Sequence, residues 1–137
     1  MIALFAGLML VPVVDQSLKL LVLRSLAPAS MPLGPLGKLQ VVSSRIWLAR
    51  PGFRPHLGTT WSLWCFAAGS LVVLSGWFPS CGWYAGALVG GSLSHLLETS
   101  LRGRVIDYVC LRFWPAFNLA DVAITVGACG VLAQMAL

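Results

Sequence analysis

The run Phe117-Asn-Leu-Ala-Asp-Val-Ala-Ile-Thr-Val-Gly-Ala-Cys-Gly-Val-Leu-Ala-Gln-Met-Ala-Leu137 is almost wholly apolar, yet it carries a carboxylate, Asp121, near its start. About 20 mostly apolar residues is the length a helix needs to cross hydrocarbon, where no water can satisfy the backbone. Three further stretches share this character, residues 2–23, 61–78 (stopping at Pro79) and 82–97. Composition agrees: of 137 residues, 58% are hydrophobic and 9% charged, with a mean hydropathy of +0.88. A soluble domain has about 25% charged residues. An ordinary soluble domain, a disordered tail and a multidomain enzyme are thereby excluded. The fold class expected is all-α integral membrane, with four transmembrane helices and a small extramembrane β-containing lobe after the first.

These spans and the lobes between them, residues 24–60 and 98–116, form a single membrane-embedded domain over residues 1–137. The first span has no basic flank and leads into Asp15 rather than a small-residue cleavage site, which marks it as a retained helix rather than a signal peptide. The lobe of residues 24–60 opens with a Pro- and Gly-rich stretch, and its residues 39–48 have a weak strand-like pattern. The connection around Pro79–Cys81 is minimal, so both lobes lie on one side. Trp61, Trp77 and Trp83 at span ends are expected to sit among headgroups. Gly82, Gly86, Gly90 and Ser94, four apart, line one face for close helix packing.

The net charge of +5 arises from nine Lys and Arg against four Asp and Glu. The basic residues lie between apolar runs, which points to membrane phospholipids and not to nucleic acid. Arg45, Arg50 and Arg54 are expected to face headgroups, and His56 to be a surface residue. Cys65, Cys81, Cys110 and Cys129 lack zinc-site spacing and are expected to be small buried hydrophobes.

Alternating spans bring all four acids to one side: Asp15, Glu98, Asp107 and Asp121. Asp121, four residues inside its span, lies about 6 Å deep by helical rise. A carboxylate there is costly unless it is paired or faces a wet cavity. With Asp107 folding back towards it, the two could share a proton, one holding it while the other activates water. The alternative is a structural arrangement, with both acids solvated or paired to Arg102, Arg104 and Arg112. Asp15 and Lys19, four apart, stack as an ion pair on a helix. His95 and Glu98, three apart, could touch one metal, but a packed or hydrogen-bonded His95 is preferred.

The stretch Gly90-Gly-Ser-Leu-Ser-His-Leu-Leu-Glu-Thr-Ser-Leu-Arg-Gly-Arg-Val-Ile-Asp107-Tyr resembles the lipoprotein signal peptidases (signal peptidase II), whose pattern there is GGxxGNxxDRxxxGxVxDF. Phe117-Asn-Leu-Ala-Asp121-Val-Ala-Ile124 is similar to their FNxADxxI, and Asp15-Gln16-Ser-Leu-Lys19 to their DQxxK. The resemblance covers essentially the whole chain. It implies an intramembrane aspartyl endopeptidase of the bacterial inner membrane that cuts prolipoprotein signal peptides just before a diacylglyceryl-modified Cys. It implies Asp107 and Asp121 as the catalytic pair, and Asp15, Lys19 and Asn118 as supporting residues. It also implies a lobe at residues 38–60 cradling the substrate, the lipid anchor between helices, and no metal or organic cofactor.

The chain departs from the pattern on the third span. His95 stands where the family has Asn, Glu98 and Thr99 replace its Asp-Arg pair, and Ser94 replaces a Gly. Glu98 and His95 are expected to substitute for the missing support. The NxGxAF motif is absent between Val41 and Leu57. The alternative function is a catalytically silent homologue binding lipidated peptides or a membrane-protein partner. The charge bias would put the lobes in the cytoplasm, whereas the resemblance implies the outer face, which is the orientation adopted.

Overall fold

A computed structural model describes residues 1–26, 29–44 and 56–136. Arg45, Arg50 and Arg54, with the end of the strand-like stretch, lie outside the described residues. Four helices follow the four apolar stretches: α1 (Ile2–Leu26), α2 (Leu57–Trp77), α3 (Gly82–Arg102) and α4 (Leu119–Ala136). By length and composition α1, α2 and α4 could each cross a membrane. Helix α3 is more polar because it stands at the centre, packed on α1 and α4 and more lightly on α2, with ten buried residues.

Lipid tails are as apolar as leucine, so helices in a bilayer associate through close packing and polar contacts. Both occur here. A Cβ on Gly86 would collide with the Leu4 carbonyl oxygen, and one on Gly90 would lie 2.8 Å from that of Gly7. The small-residue face of α3 is therefore where α1 crosses. Helix α2 buries only Ser75 and is tied to α3 by two indoles, Trp61 donating to Ser100 Oγ at 3.1 Å and Trp64 to Ser92 Oγ at 3.0 Å. Trp61, at the start of α2, thus faces the last turn of α3. Trp77 and Trp83 are exposed at the other end of the bundle.

The two lobes form one sheet. Strands β1 (Ser30–Pro32), β2 (Gly37–Ser44) and β3 (Val105–Leu111) are antiparallel in the order β1-β2-β3. Val41, Val42, Val105, Ile106 and Val109 give the paired strands their β-branched character. The β2–β3 register includes Val42 opposite Asp107, with an irregularity between Leu39 and Val42. An isolated bridge between Val109 and Phe117 folds the chain back from β3 into α4.

Several boundaries move. Helix α3 runs one turn past residue 97, to a left-handed Gly103 (φ 65°) whose N–H bonds the Thr99 carbonyl. Glu98 therefore lies inside the helix rather than at its end. Helix α4 begins at Leu119, which puts Asp121 in its first turn with a side chain 40% exposed, shallower than counting from Phe117 implied. Cys65 and Cys129 are exposed rather than buried; on apolar helices that surface faces lipid, where a thiol is tolerated as a small hydrophobe.

Candidate active site

The first four N–H groups of α4 have no partner within the helix, and here side chains from three elements take them up. The N–H of Asn118 donates to Asp121 Oδ2 at 2.9 Å, and that of Asp121 to Asn118 Oδ1 at 3.1 Å. This is the reciprocal arrangement of a capping box, built from Asn and Asp. The N–H of Leu119 donates to the Tyr108 hydroxyl at 3.2 Å, and that of Ala120 to Asp15 Oδ1 at 3.1 Å. The start of α4 is thus fixed by α1, by β3 and by its own first turn.

Asn118 reaches further. Fully buried, it donates from Nδ2 to Asp107 Oδ1 at 2.7 Å and to the Ile106 carbonyl at 3.3 Å. It therefore contacts both acids, the side chain of Asp107 and the carboxylate and N–H of Asp121. Asp107 is buried (5% exposed) on β3, whereas Asp121 is open. Burial pushes the Tyr108 phenol above its usual range; the Leu119 N–H bond opposes the rise, and the charges of Asp15 and Asp121 add to it.

Behind this pair runs a buried ionic chain. Lys19 Nζ lies 2.8 Å from Asp15 Oδ2 and 2.6 Å from Glu98 Oε2, with all three side chains fully enclosed. Arg102 completes it at 3.1 Å from Glu98 Oε1. The expected Asp15–Lys19 pair is present, and Glu98 joins it from α3. Two acids meet two bases, so the chain carries no net charge in a medium where an unpaired charge is costly. Ser94 donates to Asp15 Oδ2 at 2.6 Å and accepts from Gln16 Nε2 at 2.9 Å, so the Gly-to-Ser departure adds a hydrogen bond. The cation that the family pattern sets beside the acid comes instead from Arg102, one turn along; Thr99 bonds its own helix at the His95 carbonyl.

Sequence reasoning set Arg102 against Asp107 and Asp121, whereas it pairs with Glu98, and it gave neither Ser94 nor Tyr108 a bond in this site. The signals were the four-residue spacing of Arg102 from Glu98 and the replacement of a Gly by Ser94. His95 Nε2 lies 3.4 Å from Asp121 Oδ1. His56, at the start of α2, is exposed. Among the described residues no three His, Cys, Asp or Glu side chains cluster as metal ligands do. A cleft of about 270 Å³ opens between α1 and α4 along the first turns of α4, lined by Leu10, Val14, Leu119, Val122 and Val126 among others.

Comparison with known proteins agrees with this architecture. The family model described as signal peptidase (SPase) II matches residues 8–137. A lipoprotein signal peptidase of Pseudomonas syringae pv. tomato is 40% identical over 86 residues, covering 52% of this chain and 50% of that protein. That of Xylella fastidiosa is 34% identical over 85 residues, covering 52% and 51%. That of Rhodococcus jostii is 33% identical over 127 residues, covering 83% and 62%. The chain spans about half the length of the first two relatives. A solved bacterial membrane enzyme superposes with a TM-score of 0.80 over 96% of this chain and 91% of its own, at 15% identity, a likeness of fold. On the match across residues 8–137, the chain belongs to the signal peptidase II family.

Proposed function

We propose that this protein is an intramembrane aspartyl endopeptidase that cleaves the signal peptides of diacylglyceryl-modified prolipoproteins on the N-terminal side of the lipidated Cys. Asp107 and Asp121 form the catalytic pair. The observation that carries this reading is Asn118, whose side chain donates to a buried carboxyl on β3 and whose backbone N–H donates to an open one on α4. One carboxylate takes a proton from water as the oxygen attacks the scissile carbonyl. The other, protonated, gives its proton to the departing amide nitrogen, as general acid–base chemistry with two coupled carboxyls requires.

Asp15, Lys19 and Glu98 act behind the pair, by fixing α1 and α3 against the start of α4. The substrate peptide runs under the sheet, and its acyl chains enter the apolar cleft between α1 and α4. The protein sits in the bacterial inner membrane with the sheet on the outer face, in contact with phospholipid, and residues 1–137 act as one domain.

The test is a gel-shift cleavage assay on purified protein in detergent with a diacylglyceryl-modified prolipoprotein. Cleavage lost in both Asp107→Asn and Asp121→Asn supports the pair; unchanged cleavage in either removes it. The second reading, a silent homologue that binds lipidated peptides, draws on the His95 Nε2 that faces Asp121 without a formed hydrogen bond. Substrate binding without cleavage by folded wild-type protein would favour it.

A further inference from the structure

The sheet ends in an exposed apolar tip. The connection from β1 to β2 lies against the loop that leaves β3, where the Arg112 N–H donates to the Leu36 carbonyl at 3.2 Å. Gly37 stands opposite Leu111 in the register, and a Cβ on it would meet the Cys110 carbonyl oxygen, so glycine is what lets the two loops come together. Leu33, Leu36, Phe113 and Trp114 are thereby gathered at one end of the sheet. All four are exposed, Phe113 by 74% and Trp114 by 63%. Large apolar side chains collected on a surface mark a place that something covers.

Two further observations say what covers it. The first is charge. Lys38 follows Leu36 by two positions, Arg112 precedes Phe113, and both bases are exposed. No acid answers them, because the chain's four are committed elsewhere: Asp15 and Glu98 in the ionic chain, Asp107 and Asp121 around Asn118. The second is place. Trp114 stands five residues before Leu119, where α4 begins, and Leu119 already lines the apolar cleft. The loop is thus tied to the level at which α4, long and apolar enough to span, leaves hydrocarbon. Aromatic rings at that level suit the headgroup layer, and basic side chains beside them are drawn to anionic lipid.

We infer that this tip, Leu33 and Leu36 with Phe113 and Trp114, inserts among the headgroups of the leaflet beside the sheet, and that Lys38 and Arg112 make anionic phospholipid its preferred contact. This deepens the phospholipid contact given above and does not depend on the aspartyl chemistry. The tip is a second anchor. Helix α3 leads directly into the start of β3 and lipid holds its far end, so the bilayer sets the height of the strand that carries Asp107.

The test uses the full chain in nanodiscs of mixed phosphatidylcholine and phosphatidylglycerol, one chain to a disc. Cys65, Cys110 and Cys129 are replaced by Ala, buried Cys81 is kept, and an NBD fluorophore is attached to Leu36→Cys or Phe113→Cys. Both labelled positions are exposed, so neither label disturbs packing. A nitroxide near the head of a tracer lipid, either phosphatidylglycerol or phosphatidylcholine, quenches the fluorophore on contact. Both labels are expected to be quenched, about two- to fivefold more by the phosphatidylglycerol tracer, and Lys38→Gln with Arg112→Gln is expected to remove that preference. Labels quenched by neither tracer lie in water and overturn the inference. Equal quenching by the two tracers, or a preference that survives loss of both bases, overturns it as well. The readout needs no turnover, so a failed Asp→Asn test leaves the tip standing, and unquenched labels on a chain that still cleaves leave the aspartyl reading standing.

Discussion

Asn118 and Asp107 meet through a buried hydrogen bond of 2.7 Å, donated by Nδ2, and this contact joins the sheet to the first turn of α4. The same carboxamide accepts the Asp121 N–H through its oxygen, which fixes the orientation of the amide. Asn118 is at once a helix cap and the link between two acids.

Replacing Asn118 by Ala removes both roles. The lost cap costs about 1 kcal/mol, and Asp107 loses a buried donor worth about 1–3 kcal/mol. The expected result is a modest fall in thermal stability, with kcat reduced about ten- to hundredfold. Parallel melting and cleavage measurements separate the two. A kcat unchanged in a destabilised variant would restrict Asn118 to capping.

The ionic chain predicts a strong non-additivity. Lys19→Met leaves Asp15 and Glu98 buried without their shared cation, and breaking a buried pair in this way costs about 3–5 kcal/mol. Lys19→Met leaves two carboxylates to Arg102 alone, so adding Glu98→Gln removes the excess negative charge and should recover part of that loss. A double-mutant cycle by thermal unfolding in detergent reads the coupling. Simple additivity would mean that the pair contributes nothing jointly.

Two glycines should respond in opposite ways to the same methyl group. Gly86→Ala drives a Cβ into the Leu4 backbone and should destabilise by about 1–3 kcal/mol through separation of α1 from α3. Gly69→Ala, on α2, meets nothing within 4 Å and should be neutral or stabilising by up to about 1 kcal/mol. Unfolding midpoints of the two variants against wild type decide the matter.

Tyr108 sets an alkaline limit. Its phenol is raised in the folded protein, so the unfolded chain loses that proton first, and the stabilisation from keeping the hydroxyl neutral is present below pH 10.0 and declines as pH rises through the folded value. Tyr108→Phe should remove this decline. It also strips the Leu119 N–H of its acceptor, so the variant should be less stable by about 1 kcal/mol at neutral pH. Melting temperature against pH between 8 and about 11.5 tests both halves.

The spans were legible because hydrocarbon demands a long apolar run, and the Asp15–Lys19 pair because four residues is one helical turn. Asp121 stood out as a carboxylate inside an apolar run, and Asp107 as an acid that the chain could fold back towards it, whereas the place of Asn118 between them rested on motif resemblance. The β2–β3 pairing was not legible, since it joins short strands more than sixty positions apart, and register between such distant segments leaves no local signature. Nor was the Lys19–Glu98 contact, which depends on how closely glycine lets α1 approach α3. Nor was the Trp61–Ser100 hydrogen bond, whose two residues lie on different helices.

The buried ionic chain also bears on how the protein enters the bilayer. It consists of two pairs, each four residues apart on its own helix, Asp15 with Lys19 on α1 and Glu98 with Arg102 on α3. Each helix can therefore carry its pair into lipid with those two charges already cancelled, before the other has arrived, while Arg24 stays at the end of α1. Only when α1 and α3 dock does Lys19 gain Glu98 as a second partner. The charges that would obstruct insertion of either segment become, on assembly, a lock that recognises correct pairing of the first helix with the third.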